Sequence, residues 1–240
     1  MFKGTVLCVN RGAALSYAAQ YLQSIGIPVS NRAGPDITHL LLPVPSFSEG
    51  DTYLAYLLSD LPDHIIVSGG NLKSPLLEHY RVVDFLQDPW YQAKNAAITA
   101  RCTVKLIREH IADISGSPVL ITGWGRIGKC LAQELRQAGA EVTVAARKVA
   151  DVAILHALGY GSELISHIRE SLSRYRLIIN TVPELILPGI EVNPNTVVIE
   201  LASRPGITGR NIIVARGLPG KMAPEESGKL IAETFVRLSI

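Results

Sequence analysis

The stretch "VLITGWGRIGKCLAQEL" (119–135) constrains the fold of this chain more than any other. An apolar run of strand length, "SPVLIT" (117–122), meets Gly123, Gly125 and Gly128 and passes at once into a helical stripe of Ile127, Leu131 and Leu135. Three glycines at this spacing are a weak signal in a chain that holds 20 of them. The context makes the signal strong. A second strand, "AEVTVAARK" (140–148), follows Gly139, so one β-α-β unit closes within the length such a unit needs. Each glycine then has a separate mechanical reason. Gly123 permits a tight turn, Gly125 lets a diphosphate reach the backbone, and Gly128 lets helix and strand close up. The helix N-terminus turns unpaired N–H groups and a partial positive charge toward that phosphate. Arg126 adds a charged fork. The whole turn, with Trp124 and Ile127 between the glycines, is therefore expected to hold a dinucleotide.

The end of the second strand addresses which dinucleotide. An NAD site usually places Asp or Glu there to accept from the ribose hydroxyls. This chain has Ala146, Arg147 and Lys148, and no acid before Asp151. A carboxylate would repel a 2′-phosphate and two cations attract one, so NADP(H) is expected, with NAD(H) as the alternative. Further along, "LIINTVP" (177–183) and "TVVIELASRPG" (196–206) read as buried strands ending in turn-forming residues. Ligands in open α/β sheets sit outside the carboxyl ends of strands. That rule puts Asn180, Thr181 and Val182, and beyond them Ser203 and Arg204, at the cofactor's edge.

The first half repeats the alternation in shorter form. Strands are expected at 4–10, 38–45, 64–70 and 80–85, with a helix over 13–26 closed by Gly26. Ala97, Ala100, Val104, Ile107 and Ile111 then mark a helix crossing between domains over about 95–114, with Asp88-Pro89 or Asn95 at its start. The fold class is α/β: a Rossmann-type doubly wound parallel sheet domain (93–240) plus a smaller flavodoxin-like α/β N-terminal domain (1–92) on the substrate or partner side. A final helix is expected over 226–240, after a Gly/Pro-rich loop near 217–224 that could move on closure.

Charge divides along the same boundary. Residues 1–92 hold 5 Lys/Arg and 8 Asp/Glu, and residues 93–240 hold 18 and 13. The second half is the expected seat of an anion. No dense basic run or aromatic-rich basic segment argues for nucleic acid, and the apolar runs are too short for a membrane span. Cys8, Cys102 and Cys130 show no metal spacing and are odd in number, so reduced thiols and no metal are expected. The opening "MFKGTVLCVN" lacks the layout of a secretory signal, and a cytoplasmic location follows as an expectation.

Taken together, "GWGRIGKCLAQELRQAGAEVTVAARK", "NTVPELIL", "ELASRPG" and "GLPGKMAPEESGKLIAE" resemble the A subunits of bacterial dipicolinate synthase. The resemblance runs over roughly 88–240 and, more faintly, through "ITHLLLPVPS" and "IIVSGG". It implies an enzyme of spore-forming bacteria that oxidises a dihydrodipicolinate ring to the pyridine dicarboxylate with a nicotinamide cofactor as hydride acceptor. It also implies work with a second, flavoprotein-like B subunit, and a homo-oligomer is expected. Two features depart from that family. The first domain is short, and "ITARCTV" (98–104) has Arg101 and Cys102 where the family carries an acid and a glycine.

A dicarboxylate substrate needs cationic or hydroxyl partners. The candidates are Arg204, Ser203, Lys221 and Arg101. Other chemistries fit less well. A 2-hydroxyacid dehydrogenase would carry a late catalytic His, yet all six histidines precede the last two strands. No G-x-S-x-G elbow argues for a hydrolase. A non-catalytic NADP(H)-binding regulatory or scaffolding protein, and an oxidoreductase paralogue with another substrate, remain as alternatives.

Overall fold

The computed structural model describes residues 2–9, 12–46 and 52–240. The chain forms two units, Met1–Ile98 with Pro219–Ile240, and Thr99–Leu218. In the first unit β1 (Thr5–Cys8), α1 (Ala13–Ser24), β2 (Val29–Ser30), β3 (Ile37–Leu41), α2 (Thr52–Ser59), β4 (Ile66–Gly69) and β5 (Arg81–Asp84) follow one another. Their five strands are all parallel, in the order β2-β1-β3-β4-β5. This is the flavodoxin-like order. Helices cover both faces, so the middle strands are largely apolar: Val6, Ile37, Leu40, Leu41 and Val67 are fully buried. The expected strand at 4–10 is shorter, and Asn10 lies outside the described residues.

The second unit takes up most of α3 (Pro89–His110), then β6 (Pro118–Thr122), α4 (Arg126–Gln137), β7 (Glu141–Ala146), α5 (Val149–Ala157), β8 (Gly161–Leu164), β9 (Leu177–Asn180), β10 (Leu187–Ile190), β11 (Val197–Glu200), β12 (Ile207–Gly209) and β13 (Ile212–Val214). Six strands pair in parallel as β13-β11-β9-β6-β7-β8. Counted within the unit, that is the Rossmann order, which reverses between β6 and β9. The fold class read from the sequence therefore holds for both sheets. A separate parallel pair, β10 and β12, sits on the way between β9 and β13.

Two boundaries differ from the sequence reading, each for a local reason. The crossing helix starts at Pro89 and ends at His110, whereas 95–114 was expected. Asp88 caps it, accepting from the Tyr91 amide at 2.6 Å, and Asn95 lies inside the helix. Proline at the first helical position is favoured because its missing N–H would be unpaired anyway. The second correction concerns the C-terminus. Residues 217–224 form not an open loop but largely a short helix, α6 (Leu218–Met222), followed by α7 (Pro224–Ser239). Residues 219–240 cluster with the N-terminal unit, not with the Rossmann unit to which 93–240 was assigned.

Packing explains why. A Cβ on Gly228 would lie 2.4 Å from the Ala14 carbonyl oxygen and 2.6 Å from the Tyr17 Cβ, so α7 and α1 touch backbone to backbone there. The apolar side of α7, Leu230, Ile231 and Phe235, is buried. Arg237 on α7 donates two hydrogen bonds to Asp88, at 3.0 and 2.6 Å. That fork holds the Asp88 carboxyl below its ordinary range, assisted by the Tyr91 amide.

A buried polar contact completes the join. His39 on β3 lies 3.1 Å from the Ser239 carbonyl oxygen through Nε2 and 2.9 Å from the Thr38 hydroxyl through Nδ1. Because a carbonyl only accepts, Nε2 carries a proton. Phe235 packs edge-on against it, with centroids 5.6 Å apart. Burial lowers the His39 pKa below 6.5; the bond to Ser239 opposes this and the Arg81 charge adds to it. The unfolded chain therefore takes up this proton first on acidification. The stability held by neutral His39 is complete above about pH 6.5 and declines as pH falls below it. Thermal denaturation at pH 7.5 and 5.5 is expected to show a larger loss for the native chain than for His39→Leu. Equal losses would mean that His39 does not couple α7 to the sheet.

Candidate functional site

The reversal point of the Rossmann unit is built from β6, the turn after it and the first turn of α4. Gly123 takes φ +99°, open to glycine, and a Cβ there would lie 2.6 Å from Thr181 Oγ1 and 2.9 Å from Val182 Cγ2. A Cβ on Gly128 would lie 2.1 Å from the Gly123 carbonyl oxygen, so the helix rests directly on the turn. Gly125 is different. Its backbone is extended (φ −83°, ψ −169°), a conformation any residue adopts, and no atom lies within 4 Å of where its Cβ would be. Neither strain nor packing within the chain asks for glycine at that position. A bare surface beside the α4 N-terminus would, because a side chain there would fill the space that a phosphate docked on the α4 amides would take. Gly125 also contributes no capping side chain to α4, so the first-turn amides keep their capacity to donate. The turn fits the diphosphate of a dinucleotide.

Beneath the turn lies a buried polar network that ties three strand ends together. Asn180, at the end of β9, is fully buried. Its Oδ1 accepts from Thr122 Oγ1 at 2.5 Å and from the Val182 amide at 3.0 Å. Its Nδ2 contacts both oxygens of Glu200, at 2.8 and 2.9 Å, and the Val182 carbonyl at 2.9 Å. Glu200, at the end of β11, is 1% exposed. Its carboxylate also accepts from the amides of Ala202, Gly206 and Ile207 at 2.8, 2.8 and 3.0 Å. Those three bonds bend 202–206 into a fixed loop. Gly206 is squeezed into it: a Cβ there would meet the Val182 carbonyl oxygen at 2.3 Å and the Asn180 amide nitrogen at 2.4 Å.

This network changes what two expected contacts can do. Asn180 has no side-chain atom facing outward, so it positions the site and does not reach a ligand with its amide group. Thr181 donates its hydroxyl to the Thr122 carbonyl at 2.8 Å and packs against Gly123, so it too shapes the turn. Val182 lines the turn through its methyl and is pinned by Asn180 at both backbone atoms. Sequence reasoning missed Glu200 and Gly206. One signal was present: an acid ending the apolar run "TVVIE" must find donors.

Cations stand around the rim. Arg147 and Lys148 follow β7 directly and are exposed, and Arg147 lies 3.6 Å from Glu184 on the loop after β9. Arg126 is exposed on the first turn of α4. Trp124 packs edge-on to Tyr160 at 5.9 Å, with Lys129 over its ring at 5.7 Å. Ser203 and Arg204 are exposed side by side on the loop that Glu200 fixes. Arg101, on α3, is half-buried and lies near enough to Cys130 on α4 to favour its thiolate, although burial dominates and raises that thiol's pKa. Lys221 is exposed on α6, in the segment that clusters with the other unit. The described part of the second unit thus brings Ser203 and Arg204 together and keeps Arg101 on a separate helix.

These features define an α/β chain whose second unit is a Rossmann-type sheet with a dinucleotide-type glycine turn at its reversal point. The chain is similar to the dipicolinate synthase A subunit of Bacillus subtilis (strain 168), 28% identical over 238 residues, covering 91% of this chain and 78% of that protein. The resemblance read from the motifs is borne out by this relative. The crystal structure of the dipicolinate synthase A subunit from Bacillus halodurans has the same fold, with a TM-score of 0.83 at 23% identity over 98% of this chain and 97% of that one. A transhydrogenase from Sinorhizobium meliloti shares it at a TM-score of 0.71 and 13% identity, over 97% and 92% of the two chains. No family model matches the chain. Among the described residues, no helix is long and apolar enough to cross a membrane.

Replacing Glu200 with Gln keeps the shape but turns an amide N–H₂ toward backbone donors. Removing one partner of a buried hydrogen-bonded group costs about 1–3 kcal/mol, more where charge is involved. Denaturant unfolding of Glu200→Gln is expected to show a loss of about 2–4 kcal/mol. A loss under about 0.5 kcal/mol, in the range of an ordinary surface change, would mean that the carboxylate does not hold the loop.

Proposed function

We propose that this chain is an NAD(P)-dependent oxidoreductase of the dipicolinate synthase A-subunit kind, oxidising dihydrodipicolinate to dipicolinate during sporulation. The observation that carries the reading is Gly125, a glycine with no conformational or packing reason, placed where a diphosphate would lie against the α4 amides. The similarity to the dipicolinate synthase A subunit over nine-tenths of the chain supports the substrate class. When bound, the nicotinamide accepts the hydride that the ring gives up as it becomes aromatic, a proton being lost as well.

The chain's own residues do the holding. The amides of 126–128 and the Arg126 guanidinium receive the diphosphate. Arg147 and Lys148 receive the 2′-phosphate, which favours NADP(H) over NAD(H). Arg204 and Ser203 take a substrate carboxylate, presented by a loop whose backbone cannot drift because Glu200 holds three of its amides. Arg101 and Lys221 are further cationic candidates for the dicarboxylate. Positioning of this kind supplies much of the rate in a hydride transfer. A partner in the form of a flavoprotein-like B subunit, a homo-oligomeric state and a cytoplasmic setting belong to the same proposal. The partner is supported by the relative's name, which makes it one component of a multi-subunit synthase.

Two variants test the reading. Gly125→Val adds a side chain in open space on an extended backbone, so its melting temperature is expected to stay within about 2 °C of the native value. Its affinity for NADPH, followed by cofactor fluorescence, is expected to fall at least about tenfold. Arg204→Ala is expected to lower kcat/KM with dihydrodipicolinate by about ten- to a hundredfold at unchanged stability, the loss of one charged hydrogen bond. Assays run with and without the B subunit distinguish an enzyme from a binding module. If the native chain bound neither coenzyme, the proposal would fall.

A further inference from the structure

We propose that Glu184 tempers the coenzyme preference of this site, by holding Arg147 in a weak charge pair that a 2′-phosphate has to displace. The inference rests on the dinucleotide reading of the turn and deepens it. In the sheet, β7 and β9 flank β6 on either side. All three strands run parallel, so Arg147, just past β7, and Glu184, just past β9, rise at the same end of the sheet as the Gly123 turn. Their ion pair therefore spans the carboxyl end of β6, where the turn begins.

Three observations make the pair a selector and not a chance surface contact. First, the Glu184 segment is built in. Asn180 holds Val182 from both sides, the Glu184 carbonyl oxygen lies 2.8 Å from where a Gly206 Cβ would be, and the Ile186 amide donates to the Gly206 carbonyl at 2.8 Å. The loop that carries the carboxylate is thus fixed by the buried Asn180–Glu200 network. Second, the pair is weakly made. Arg147 Nη1 and Glu184 Oε2 are 3.6 Å apart, longer than a hydrogen bond, and both side chains are largely exposed, at 76% and 70%. Such a pair is readily exchanged for a better partner. A phosphate offers the guanidinium two hydrogen bonds as well as charge, whereas the 2′-hydroxyl of NAD(H) offers no charge. Third, β7 ends without an acid of its own, so Glu184 brings the only carboxylate that the described structure pairs with Arg147.

The consequence is a graded choice. A ligand with a 2′-phosphate takes Arg147 and releases Glu184 to water, so it binds against the pair. A ligand without one leaves the pair in place. Glu184 therefore holds the preference for NADP(H) below the level Arg147 and Lys148 alone would give.

The test is a double-mutant cycle on the full chain, with NADPH and NADH titrated in parallel at fixed salt. Glu184→Gln is expected to raise the ratio of NADPH to NADH affinity about two- to fivefold, the range an exposed pair can contribute. The same substitution made on Arg147→Ala is expected to leave the ratio unchanged within error, since the carboxylate acts through Arg147. An unchanged ratio in the native background, with both coenzymes still bound, would overturn the inference and leave the dinucleotide site standing. An equal rise in both backgrounds would also overturn it, because Glu184 would then act on the phosphate directly. Failure of the native chain to bind either coenzyme would instead remove the dinucleotide reading, and this inference with it.

Discussion

A carboxylate sealed inside a sheet has to be met by donors on every side, and in this chain Glu200 is met by Asn180 and three backbone amides. That requirement organises the end of the Rossmann unit. The loop after β11 must curl back to deliver the amides of Ala202, Gly206 and Ile207. The loop after β9 must lie against it, because Asn180 spends both ends of its amide on Glu200, Thr122 and Val182. Charges in such a place are costly unless fully satisfied, and here they are. The glycine turn then sits on a floor whose polar groups are already used up.

The division of labour that results is plain from burial. Asn180, Thr122 and Glu200 are buried and shape the site; Arg126, Arg147, Lys148, Ser203 and Arg204 are exposed and remain able to meet an anion. An exposed cation interacts weakly with protein charges across water, so exchanging its partner for a phosphate requires little rearrangement. The buried groups cannot be exchanged at all without unfolding their loop. The geometry beneath the turn is fixed, and the charge around it is replaceable.

In the N-terminal unit the same logic acts on the last helix. Gly228 allows α7 to rest on α1, and the His39–Ser239 contact joins the end of that helix to the sheet. A final helix was readable over 226–240, but a helical pattern does not say which of two sheets will cover it. The assignment of 219–240 to the Rossmann unit failed for that reason. The start of α3 was open on similar grounds: Asp88 and Asn95 are both good caps by composition, and the Arg237 fork on Asp88 goes with the earlier start.

The glycine turn, the parallel α/β class and the cations after β7 were all legible in the linear chain, because each depends on residues adjacent in sequence or at one fixed period. A strand-turn-helix with glycines at that spacing has few other ways to pack. What lay beyond reading was every relation made by side chains far apart along the chain. Asn180 looked like a ligand contact, yet Glu200, 20 residues on, absorbs its amide. Arg147 looked free, yet Glu184 reaches it from a different loop. Local pattern settles which backbone forms, since the dihedral preferences and burial needs of neighbours are enough. Which polar group meets which is decided only when the folded sheet brings separate strand ends within hydrogen-bonding distance.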